Sequence, residues 1–106
     1  MKIQLFAGSI NLGIVESKII DDSMGITGGV LQPSASYVTV FQSYFRTHSQ
    51  HPNWTVLADL KLTGVITFDK ILECVGGICL SDVEECNEVN VEFCGLNQQI
   101  MSMIKS

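Results

Sequence analysis

The sequence predicts an α+β fold: a strongly bent antiparallel sheet, or partly open β-barrel, of six to seven strands around one main helix (34–48), with a short C-terminal helix. Three observations predict it. Residues 25–50 pass from a glycine-rich strand pattern, through Pro33, into a single amphipathic helical pattern. Almost everything else before residue 95 alternates apolar and polar side chains at the period of a half-buried strand. Gly25, Gly28 and Gly29 crowd one strand, where glycine is costly unless the strand must bend or approach another backbone closely.

Residues 1–7 set Ile3 and Leu5 against Lys2 and Gln4, which makes a first half-buried strand. Gly8-Ser9 opens a turn. A second strand follows, with Leu12, Ile14, Val15 and Ile19 interleaved with Glu16 and Lys18, and Asp21-Asp22-Ser23 closes it with turn chemistry. The third strand covers 25–31. Pro33 ends it, and Ser34 or Ser36 is placed to cap a helix by accepting from its orphan N–H groups. Tyr37, Val38, Phe41, Tyr44 and Phe45 form one helical stripe, with Gln42, Ser43, Arg46 and Thr47 facing out. Polar residues 48–53, including Pro52, stop the helix.

Residues 55–63 alternate again, with Val56, Ala58, Leu60 and Leu62 inward and Leu57 the one exception, so a strand is expected there. Strand-like runs continue over 65–68 and 70–75. Gly76-Gly77 reads as a hairpin turn into Ile78-Cys79-Leu80. Residues 82–88 are an acidic loop. A last strand over 88–94 alternates Val89, Val91 and Phe93 with Glu88, Asn90 and Glu92. Gly95 ends it, and Asn97 caps a final short helix through Ile104. The expected core sets Tyr37, Val38, Phe41 and Phe45 against Ile3, Leu5, Ile14, Leu60, Leu62, Val89 and Val91.

The 106 residues, with no repeat, linker or low-complexity tract, make one domain, 1–106. At 46% hydrophobic and 16% charged, the chain has ample material for a core. It is also lean enough in charge that some apolar surface must remain outside. The net charge of −5 is lopsided: residues 1–70 are balanced, whereas Glu73, Asp82, Glu84, Glu85, Glu88 and Glu92 face Lys105 alone in 71–106. With Arg46 the single arginine, no basic patch exists to neutralise phosphates, which excludes nucleic acid as a partner. No segment nears the roughly 20 apolar residues of a membrane-spanning helix. The N-terminus lacks the continuous apolar run of a signal peptide, so the expected location is cytoplasmic, with cysteines kept as free thiols.

Chemistry-bearing patterns are thin. Cys74, Cys79, Cys86 and Cys94 are spaced five, seven and eight apart. Only the first pair approaches zinc-ligand spacing, so a structural metal site at the cysteines is an alternative, and packing as small buried hydrophobes is the leading account. Their acidic surroundings oppose a reactive thiolate. His48 and His51 fall where a histidine complements the helix dipole. The acidic group lacks the alternating ligand pattern of a calcium loop. The sequence has no phosphate-binding glycine loop and no nucleophile elbow. A cofactor, and catalysis itself, are therefore not expected.

Residues 24–37, Met-Gly-Ile-Thr-Gly-Gly-Val-Leu-Gln-Pro-Ser-Ala-Ser-Tyr, followed by Phe41 and Phe45, resemble a pattern in small bacterial proteins of unknown function. In those a strand ending G-x-F-x-P-x-x-x-Y leads into a short helix with further apolar anchors. Here Leu31 stands where they often carry an aromatic residue. The resemblance implies a bacterial or phage origin and a cytoplasmic domain, and it brings no active site with it.

The expected function is a non-catalytic protein-interaction module of the adaptor or immunity type. Its acidic docking face is Asp82, Glu84, Glu85, Glu88 and Glu92, and its partner another protein or a second copy of itself. The alternatives are a small-ligand-binding half-barrel with an apolar pocket, and the structural metal site.

Overall fold

A computed structural model describes residues 1–51, 54–66, 70–83 and 88–105. The fold is the expected α+β arrangement, a curled antiparallel sheet forming a half-barrel with a main helix and a short C-terminal one. The strands are β1 (Lys2–Ala7), β2 (Ile10–Glu16), β3 (Lys18–Asp21), β4 (Ile26–Pro33), β5 (Leu62–Ile66), β6 (Lys70–Ile71), β7 (Gly77–Asp82) and β8 (Val89–Cys94). They run in the order β6-β5-β1-β2-β4-β8-β7, with β3 pairing on β4 beside β2. The expected second strand is thus one bent strand, interrupted at Ser17. There the buried hydroxyl and the backbone N–H of Ser17 both donate to the Met1 carbonyl.

Glycine sets the inward pattern of β2. Leu5 pairs with Gly13 but Phe6 pairs with Asn11, which leaves Leu12 as the extra residue of a β-bulge. Gly13 has φ 141°, and a Cβ there would lie 2.2 Å from the Gln32 carbonyl oxygen, so only glycine fits. The bulge turns both Leu12 and Val15 into the core and rotates Ile14 out to 36% exposure. That overturns the expected inward position of Ile14.

The chain becomes helical after Ser34. The Ser34 hydroxyl accepts from the Tyr37 N–H at 3.1 Å and donates to the Asn11 carbonyl, fixing the helix start to β2. A π-helical turn (Tyr37–Phe41) runs directly into α1 (Gln42–Gln50). Tyr37, Phe41 and Phe45 enter the core as expected, and α1 packs on β7. Val38 does not: it is 53% exposed. The wider π turn, closed by the Gln42 N–H on the Tyr37 carbonyl, rotates Val38 away from the stripe an ordinary helix would give it.

The largest departure is residues 54–60, which form a helix, α2 (Trp54–Leu60), instead of a strand. Trp54, Leu57, Ala58 and Lys61 fall at helical spacing, and Leu57, the exception to alternation, was the sign of it. Lys61 ends α2 in a left-handed conformation, φ 52°. Val56 is consequently exposed, and Leu60 and Leu62 are only half-buried.

The stretch around Gly76-Gly77 is also no hairpin. β6 pairs with β5 and β7 with β8, so 72–76 carries the chain from one edge of the curled sheet to the other. It bridges the seam: the Leu72 N–H donates to Gly64 of β5, and the Gly76 N–H to Cys94 of β8. Asn97 caps α3 (Gln98–Lys105) as expected, its side-chain oxygen accepting from the Ile100 N–H. Ile100, Met101 and Ile104 close the core.

Candidate functional site

The five residues of the expected acidic face separate. Asp82 ends β7 and is 1% exposed, so it belongs to the interior and not to a docking surface. Its carboxylate accepts from the Tyr37 hydroxyl at 2.6 Å and from Arg46 Nε at 3.2 Å, and its backbone N–H reaches the Ser49 hydroxyl. A buried charge is tolerated only when paired and hydrogen-bonded in this way. The group clamps the π turn and α1 onto β7. Burial pushes the Tyr37 phenol far above its usual range, and its hydrogen bond to Asp82 adds to the shift. Glu84 and Glu85, like Cys86, lie outside the described residues. Glu88 and Glu92 are exposed on the outer face of the sheet, where alternation along β8 places them.

What the structure adds around these two glutamates is a groove. Register aligns Glu92 with Gly28, and Asn90 with Val30. On the other side of β4, Lys18 aligns with Gly28. Glu16, Ile20 and Gln32 complete the lining of a cleft of about 540 Å³. Gly28 and Gly29 form its floor. A Cβ on either would lie 2.3 Å from a backbone oxygen, of Val91 and Glu16 respectively, so the expected close approach of backbones is real. The groove therefore has an acidic rim (Glu16, Glu88, Glu92), one lysine, and exposed Ile20 and Val30 at 50% and 41%. Sequence reasoning missed Glu16 because it sits in the charge-balanced half. The signal available was its outward parity on β2, next to the strand that carries the glycines.

The cysteines gather on the other half of β8. Gly77 pairs with Cys94 and Cys79 with Glu92, so Cys79 and Cys94 are diagonal neighbours on the outer face. Cys74 approaches from the seam segment. Burial pushes its thiol up to about 11, and burial followed by Cys79 raises that of Cys94. Both are protonated at neutral pH, which is wrong for a nucleophile. Among the described residues no group of three or more His, Cys, Asp or Glu is placed to hold a metal ion.

His48 is buried at the end of α1, its Nδ1 3.3 Å from the Tyr44 hydroxyl and its ring edge-on to Trp54 at 4.9 Å. It ties α2 to α1 by packing. No helix among the described residues is long and apolar enough to cross a membrane. No protein-family model matches the chain, and no curated protein or solved structure is similar to it.

Proposed function

We propose that the chain is a non-catalytic protein-interaction module, working in the cytoplasm, that docks a basic segment of another protein in the acid-rimmed groove across β3, β4 and β8. The observation that carries this reading is the pairing of an acidic rim with exposed Ile20 and Val30 over a glycine floor. Apolar contact supplies affinity there, while Glu16, Glu88 and Glu92 supply orientation and a fast, salt-sensitive encounter. The same charge disfavours a second copy meeting this face head-on, so a different protein is the partner. Free thiols at Cys74, Cys79 and Cys94 suit a reducing compartment.

The test is affinity capture with the parent chain and with a triple Glu16→Lys, Glu88→Lys, Glu92→Lys variant, across a salt series. A basic protein held at low salt, released as salt rises and lost in the variant is the expected result. Equal capture by the variant would overturn the assignment of the groove.

A further inference from the structure

A second cleft lies where the sheet fails to close. Leu62 of β5 and Ile78 of β7 stand on the two sides of the seam, and α2 roofs it with Trp54, Leu57 and Ala58. The space is about 320 Å³, at the small end of ligand-sized sites, and apolar side chains dominate its walls. The one charge in the lining is Lys61, which makes no ion pair among the described residues. Trp54, the sole tryptophan of the chain, is 67% exposed beside it. An indole left open to water next to a lysine, over a small apolar floor, is complementary to a flat ring bearing an anion.

From this juxtaposition we propose that the seam cleft binds a small planar aromatic carboxylate. The ring lies against Trp54, Leu57 and Ile78, and the carboxylate accepts from the Lys61 ammonium. A tryptophan face favours ring stacking, and a charge-assisted hydrogen bond beside apolar walls is stronger than one in open water. The cleft lies between α2 and the start of β7, and its volume suits a bicyclic ring. The site is separate from the acidic groove, on different strands, so either is testable without the other.

The single indole N–H gives one resolved signal in a ¹H–¹⁵N spectrum, which reports on the cleft directly. Sodium 2-naphthoate, titrated into the ¹⁵N-labelled chain, is expected to move that signal saturably. The neutral 2-naphthamide should bind about tenfold more weakly, for want of the charge-assisted bond. Lys61→Asn removes the charge and suits the left-handed backbone. It should keep the parent's signal dispersion yet lose about tenfold in naphthoate affinity, whereas Lys61→Arg retains it. An indole signal that does not move, an amide bound as tightly as the acid, or a folded Lys61→Asn variant with parental affinity would each overturn the proposal.

Discussion

Replacing Tyr37 by Phe removes one oxygen atom and tests the buried clamp at Asp82. The ring stays, so the stacking of Tyr37 on Phe45 at 6.0 Å and the filling of the core are unchanged. What is lost is the 2.6 Å hydrogen bond to a carboxylate that is 1% exposed. Hydrogen bonds to charged groups contribute about 1.5–3 kcal/mol, and water cannot reach Asp82 to replace this one. Arg46 remains on the other oxygen, but its side chain is 37% exposed and partly solvated, so it compensates little. A loss of about 2 kcal/mol follows, a fall in Tm on the order of 10 °C for a chain of this size. Urea denaturation followed by far-UV circular dichroism measures it. In an Asp82→Asn background the same hydroxyl meets a neutral amide, and its removal should cost only about 1 kcal/mol. The double-mutant cycle therefore predicts a coupling of about 1 kcal/mol. Parental stability for Tyr37→Phe, or an equal cost in both backgrounds, would refute the view that a paired buried charge holds the helix to β7.

Three further outcomes follow from the structure. Phe45→Ala, at a fully buried position, should destabilise by about 3–5 kcal/mol, whereas Val38→Ala, on the same helix and 53% exposed, should cost less than about 1 kcal/mol in the same melts. Timed alkylation with peptide mass spectrometry should label exposed Cys79 well before Cys74 and Cys94 in the native chain, with the order collapsing in denaturant. The raised Cys74 thiol also sets a sign. The unfolded chain gives up this proton near pH 9.0 and the folded chain only near about 11, so this contribution to stability is complete below the first value and drains away between the two. Melts across that window should show stability falling as pH rises, and the fall should shrink in Cys74→Ser.

The parts of the fold legible in the sequence are those where one face is clearly wet and the other dry. Lys2–Ala7, Val89–Cys94 and the Tyr37–Phe41–Phe45 stripe each announce their period, and each is found as read. The misreadings share a physical cause. Residues 54–60 satisfy both periods over a short span, and in a helix of only seven residues local pattern is a weak guide; the contact of Trp54 with His48 comes from outside the segment. Ile14 was misplaced by a single bulged residue, since one insertion inverts every later side chain of a strand. Gly76-Gly77 has hairpin chemistry, but pairing partners are a long-range property, and here they lie on opposite edges of the sheet. Of the candidate site, Glu88 and Glu92 were legible from charge and parity. Asp82 was not, because a carboxylate followed by more acids looks solvated until Tyr37 and Arg46 are brought to it from 45 and 36 residues away. Glu16 became visible only through the register that brings β2 and β8 to either side of β4.

Strand β4 joins β2 and β3 on one side and β8 on the other, and this placement bears on how the chain comes off the ribosome. Residues 1–33 supply one flank as soon as they emerge, but the opposite flank is residues 89–94. Throughout synthesis of everything between, the middle of the sheet carries a bare row of N–H and C=O groups and an uncovered apolar face. Such an edge pairs readily with other nascent chains. Gly28 and Gly29 contribute no apolar side chain to that edge; Gly29 already accommodates the close backbone of β2, and Gly28 accepts that of β8 when it arrives.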